Sequence, residues 1–125
     1  MKFATAINCV DGRIQIPVME WIKEQFDVDY VDMITEAAVV KILSEETDNP
    51  IHTSIKSNVE ISVSKHQSKL VAVVAHHDCA ANSVTKENQL GQMKSAIENV
   101  KKWNFNVQLI GLWVDENFEV TEIHP

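Results

Sequence analysis

The chain has 125 residues, is 45% hydrophobic and 23% charged, and sets 11 basic against 18 acidic side chains for a formal charge of −7. That length suits one domain over residues 1–125, and the apolar content is enough for a core, which excludes disorder. An acidic surface without a basic cluster argues against nucleic acid and anionic membranes as partners.

The longest apolar run, residues 70–75, is far short of the ~20 residues that span a bilayer. Residues 1–9 lack the charged start and long apolar stretch of a secretory leader, so a cytoplasmic location is expected.

Residues 2–10 are mostly apolar and predict a buried strand ending near Cys9. Ile14, Val18, Ile22 and Phe26 recur at helical spacing, and Pro17 is tolerated in a first turn, which predicts a helix over about 15–26. Residues 28–33 read as a short second strand, and Ala37, Val40, Ile42 and Leu43 as a short helix ending near Glu45. Residues 46–52, with Asp48, Asn49 and Pro50, read as a loop, and Glu45, Glu46 and Asp48 as its solvated acids. Thr53 is placed to cap a helix whose apolar face is Ile55, Val59 and Val63. The unbroken apolar stretch 69–75 predicts a central parallel strand. Leu90, Met93, Ile97 and Val100, at spacings of 3, 4 and 3, mark the clearest helix. Residues 107–114 form another buried strand. A tight turn at 115–117 then leads to an edge strand carrying Phe118, Val120 and Ile123. Strands alternate with helices, which predicts a three-layer α/β fold with a mostly parallel central sheet of about four strands plus an edge strand.

Two segments carry chemistry: Cys9-Val10-Asp11-Gly12-Arg13 after the first strand, and His76-His77-Asp78-Cys79 after the long apolar strand. Ligands of open α/β sheets bind at the carboxyl ends of strands, where strand order reverses. A first strand flanked by the second and the third creates such a point, so Cys9 can meet His76 and Cys79. Two thiolates and an imidazole are good zinc ligands, and a three-residue set leaves a fourth position for water, as in catalytic sites. Zinc brings the pKa of that water to about 7. Two small buried core cysteines are the alternative.

Arg13, the only arginine, can hold Asp11 as a carboxylate through a bidentate contact. Asp11 can then accept a hydrogen bond from hydroxide generated at the metal and align its lone pair for attack. Without Arg13, Asp11 is free to swing onto the metal. A surface ion pair is the plainer alternative.

These residues resemble the β-class carbonic anhydrases, whose pattern is Cys-x-Asp-x-Arg followed by His-x-x-Cys at the end of a later strand. The likeness covers about residues 3–114. It implies zinc (Zn2+) on Cys9, His76 and Cys79, an Asp11–Arg13 catalytic dyad, carbon dioxide and bicarbonate as the small-molecule substrates, and a homodimer. The chain departs from that pattern at Ala80, where the family usually has glycine, and at residues 33–38, where members often carry Arg-Asn-Ala-Gly. The function expected is reversible hydration of carbon dioxide. The alternatives are a non-catalytic zinc-binding protein on the same fold and a hydrolase of an analogue such as carbonyl sulfide.

Of the remaining residues, His77 reads as a strand-end residue or a proton shuttle, and Asp78 as a turn former or an acceptor that orients a ligand. His52, His66 and His124 read as surface residues. Trp21, Trp103 and Trp113 read as packing residues.

Overall fold

The computed structural model describes residues 1–45 and 49–124. β3 (Leu70–His76) is built from Leu, Val and Ala followed by one His, and all seven residues are buried. Such a run cannot leave either face in water, so β3 takes the middle of the sheet. The sheet has five strands in the order β2-β1-β3-β4-β5. β1 (Phe3–Asn8) pairs in parallel with β2 (Tyr30–Thr35) and β3, and β4 (Gln108–Val114) in parallel with β3. The last strand, β5 (Val120–Ile123), is antiparallel to β4. Four parallel strands plus an edge strand, with helices on both faces, is the architecture the alternation predicts.

The two faces bury different clusters. α1 (Gly12–Phe26) lays Ile14, Val18 and Ile22 on Ala4, Ala6, Ala72, Val74 and Leu112. α2 (Val39–Ser44), α3 (Pro50–Lys65) and α4 (Lys86–Lys101) cover the opposite face around Ile7, Val71, Val73 and Trp113. Gly111 allows the closest approach. A Cβ there would run into the thioether of Met93 and lie 3.3 Å from Ile97 Cδ1, so α4 seats directly on β4.

Several boundaries differ from expectation. β1 stops at Asn8, short of residue 10, and leaves Val10 exposed beyond it. β5 starts at Val120, so Phe118 is not on the edge strand: it takes a left-handed conformation with φ of 61° and its N–H closes the turn on the Asp115 carbonyl at 3.0 Å. Three further boundaries each have a local reason. α1 begins at Gly12, ahead of residue 15, because the Asp11 side chain accepts from the Arg13 backbone N–H at 2.9 Å and caps it. Pro17 therefore lies inside the helix. β2 begins at Tyr30 rather than residue 28, since pairing with β1 starts at Phe3 opposite Tyr30 and Val28 packs as part of the connection. α3 begins at Pro50, so residues 50–52 are helix and Thr53 is not its cap. Asn49 accepts from the His52 N–H at 2.9 Å, and Pro50 opens the helix where its missing donor costs nothing. Glu45 is exposed, while Glu46 and Asp48 lie outside the described residues.

Trp113 is core, and Trp21 and Trp103 pack at its margin. His66 and His124 are exposed, whereas His52 is half-buried with a ring nitrogen against the Ile42 carbonyl. His66 also has a partner. Its Nδ1 donates to Asp32 at 2.7 Å, and Phe3 stacks on its ring at 4.2 Å.

That pair ends a buried hydroxyl chain far from the carboxyl ends of the strands. The Thr5 hydroxyl lies 2.6 Å from Ser62 Oγ and donates to Ser68 Oγ at 2.8 Å. Ser62 donates to Asp32 at 2.7 Å, and Ser68 to the Leu70 carbonyl at 2.9 Å. Thr5→Val removes the hinge of this chain while keeping its shape. It is expected to cost about 1–2 kcal/mol in chemical denaturation, and an unchanged stability would show that the chain is not a clamp.

Candidate metal centre

β1 and β3 run side by side, with Ile7 opposite Val73, so their carboxyl ends open onto the same crevice. Cys9 is the first residue beyond β1, and His76 is the last of β3. Asp78 takes a left-handed conformation with φ of 57°. Aspartate tolerates that region better than most residues, and the turn brings Cys79 back toward Cys9.

The ligand atoms of Cys9, His76 and Cys79 all lie within 4.8 Å of one another, and all three residues are buried. The two sulfurs are 3.9 Å apart, in free cysteines rather than a disulfide. Two zinc–sulfur bonds of ~2.3 Å in a tetrahedron place sulfurs about 3.8 Å apart, so the spacing suits zinc. His76 Nδ1 faces the His77 carbonyl at 2.9 Å. A carbonyl only accepts, so Nδ1 carries the proton and Nε2 presents a lone pair. Among the described residues, His76 Nε2 is the buried side-chain nitrogen or oxygen without a hydrogen-bond partner. An unsatisfied imidazole nitrogen beside two thiols is the donor set of a soft divalent cation.

The backbone around these ligands is tied down. Buried Gln89 donates to the His76 carbonyl at 2.8 Å, and the His77 N–H donates to the Val114 carbonyl at 2.9 Å. The Cys9 N–H donates to Asn8 Oδ1 at 3.1 Å. Gln15 Nε2 donates to the carbonyls of Cys9 at 2.8 Å and Asp11 at 2.7 Å.

Asp11 and Arg13 form the expected clamp. Arg13 Nε lies 3.0 Å from Asp11 Oδ1, and Nη2 lies 2.7 Å from Oδ2. The hydrogen bonds to Arg13 hold the Asp11 carboxyl down at about 2, against the opposing effect of burial. The same bonds push the Arg13 guanidinium further up. Arg13 also reaches the second loop, with Nη1 3.4 Å from Asp78 Oδ2 and Nη2 3.1 Å from the Asp78 carbonyl. Burial and then the neighbouring Cys9 push the Cys79 thiol up. A divalent cation reverses that preference, because a coordinating thiol is deprotonated outright.

The five residues singled out from the sequence therefore meet at one place: Cys9, His76 and Cys79 in the cluster, and Asp11 and Arg13 on its rim. His77 is exposed at the strand end. Asp78 makes the turn and holds Arg13 rather than orienting a ligand. Sequence reasoning missed Asn8, Gln15 and Gln89. Asn8 and Gln15 flank the Cys-x-Asp-x-Arg segment, but nothing in the sequence says which backbone groups these amides meet.

A family model described as "Putative carbonic anhydrase" matches residues 1–124. Among solved structures, the chain is similar to β-carbonic anhydrase isoform I of Trichomonas vaginalis, with a TM-score of 0.61 and 15% identity over 95% of this chain and 81% of that one. It is also similar to a β-carbonic anhydrase of the filamentous ascomycete Sordaria macrospora, one of two described as tetrameric, at 0.56 and 13% over 99% and 81%. A variant of the β-carbonic anhydrase CafD of Aspergillus fumigatus gives 0.59 and 9% over 100% and 90%. At these identities the likeness to the solved structures is one of fold. No curated protein matches the sequence significantly.

The clamp has a pH signature. A carboxyl lowered from 3.8 to about 2 adds stability that is fully present above pH 3.8 and is lost as the pH falls through about 2. In the metal-free protein, the Asp11 carboxyl carbon followed by NMR is expected to titrate near 2, and in Arg13→Ala clearly higher, because the side-chain hydrogen bonds that lower it are gone while burial still raises it. Identical midpoints in the two proteins would contradict the clamp.

Proposed function

The chain belongs to the carbonic anhydrase family, and on that premise we propose that it catalyses the zinc-dependent, reversible hydration of carbon dioxide to bicarbonate. The observation that carries this reading is the orphaned Nε2 of His76 facing two thiols, with an Arg13-clamped carboxylate on the rim.

Cys9, His76 and Cys79 would hold the zinc. Bound there, it supplies the Lewis acidity that lowers the pKa of water to about 7 and so provides a nucleophile at neutral pH. Asp11, kept ionised by Arg13, can only accept a hydrogen bond. It takes the proton side of the attacking oxygen and leaves a lone pair free to meet the carbon. Arg13 occupies both carboxylate oxygens and so keeps Asp11 from swinging toward the thiols. The released proton leaves for solvent, and His77, exposed beside His76, is the residue assigned to relay it. Association into a homodimer and a cytoplasmic location complete the reading. Its support for association is a structural neighbour described as tetrameric, and light scattering tests it.

The direct test is stopped-flow carbon dioxide hydration at about pH 8.5, above the pKa that zinc imposes, on protein carrying one zinc per chain. Hydration well above the buffer background is expected. Zinc-loaded protein without hydration would overturn the reading, and a parallel assay with carbonyl sulfide would show whether an analogue is the substrate. Cys79→Ser is expected to lose stoichiometric zinc and stability together, because metal binding and folding are coupled. Arg13→Ala is expected to retain zinc and lose at least about tenfold in hydration rate. Wild-type activity in Arg13→Ala would remove the dyad from the mechanism.

A further inference from the structure

Cys9 and Asp11 belong to one three-residue connection between β1 and α1, and both must be placed to within a fraction of an ångström for the proposed chemistry. Their side chains are short, so the backbone of residues 9–11 sets where they point. The groups that hold this backbone converge on one side chain. Gln15, one turn into α1, spends its two amide protons on two carbonyls, that of Cys9 at 2.8 Å and that of Asp11 at 2.7 Å. Its Oε1 accepts from Asn8 Nδ2 at 3.3 Å, and Asn8 Oδ1 accepts the Cys9 N–H at 3.1 Å. Asn8 is fully buried. The two amides thus form a closed ring with the backbone of Cys9, in which each bond polarises the next. Among the described residues, Gln15 is the side chain that bonds to the backbone of both the metal-side cysteine and the dyad aspartate.

We propose that Gln15 is a positioning residue. It makes the thiolate of Cys9 and the carboxylate of Asp11 parts of one rigid unit, so that the proposed metal and the proposed proton acceptor keep a fixed separation. The inference rests on the zinc reading above and assigns this chain's own amide ring to it. The number of donors is what matters. A carboxylate has the shape of a carboxamide but no protons, so Gln15→Glu turns two attractive contacts with carbonyl oxygens into repulsive ones. Gln15→Leu removes them at similar volume. The plainer alternative is that Gln15 only stabilises the start of α1, and in that case its loss follows stability alone.

The experiment compares wild type, Gln15→Leu, Gln15→Glu and Thr5→Val. Thr5 lies on β1 but outside the amide ring and the ligand cluster, so Thr5→Val is the control for lost stability. Each protein is loaded with Co2+ for its visible absorption and with Zn2+ for affinity by chelator competition and for carbon dioxide hydration kinetics. Both Gln15 variants are expected to bind one metal per chain, with shifted cobalt bands and affinity lowered about 10–100-fold. Their kcat is expected to fall by a similar factor with KM little changed. Thr5→Val is expected to lose stability and keep wild-type bands and affinity. Wild-type bands and affinity in the Gln15 variants would overturn the inference, and so would the same losses in Thr5→Val. Should Gln15→Leu fail to fold, the isosteric Gln15→Glu decides. If wild type binds cobalt and does not hydrate carbon dioxide, the activity reading fails, while the cobalt bands and affinities still decide the role of Gln15.

Discussion

A buried imidazole nitrogen with no partner among the described residues organises the carboxyl end of this sheet. Leaving such a group unsatisfied costs about 1–3 kcal/mol, and His76 cannot relieve it by turning. Its Nδ1 is committed to the His77 carbonyl, its own carbonyl is bonded to Gln89, and β3 is buried on both faces. The two nearest soft groups are thiols, and the Cys79 thiol is pushed up by burial and by Cys9. A divalent cation would satisfy all three residues at once, with release of the thiol protons. The metal reading thus follows from polar groups that the fold buries and cannot otherwise serve.

The topology makes that arrangement affordable. β1 lies between β2 and β3, so the loop after β1 and the loop after β3 open into the same crevice. Each loop is short and each has its own device. The first begins with the Asn8–Gln15 amide ring and ends in the Asp11 cap of α1. The second is turned by Asp78 in a left-handed conformation. Arg13 joins them, holding the Asp11 carboxylate with one edge of its guanidinium and Asp78 with another. An arginine does this where a lysine would not, since its planar fork presents several donors in fixed directions. Arg13 is therefore both the group that keeps Asp11 ionised and the bridge between the loops that carry the cysteines.

The parts of the fold that could be read from the sequence are those in which one physical signal dominates. The even spacing of Leu90, Met93, Ile97 and Val100 declares α4, and the unbroken run of β3 declares a central strand. The misreadings fall where signals compete. Asn49 and Pro50 are both loop residues and a helix start, and here capping wins. Val28 is apolar because it packs, although strand pairing begins two residues later. In the site, residue types with distinctive chemistry were legible: two cysteines, one histidine and a lone arginine beside an aspartate. The amides were not. Gln15, Asn8 and Gln89 act through bonds to backbone atoms, and neither their spacing nor their composition announces which backbone group they will meet. The Asp32–His66 pair is a side-chain contact between residues 34 positions apart, and no local pattern links positions so distant in sequence.

The central claim is that Cys9, His76 and Cys79 form a three-ligand zinc site. X-ray absorption at the zinc edge, on protein carrying one zinc per chain, reads that shell directly. The account predicts two sulfurs at ~2.3 Å, one imidazole nitrogen at ~2.0–2.1 Å and a single further light atom. A shell with fewer than two sulfurs, or failure to take up one zinc per chain, would contradict it.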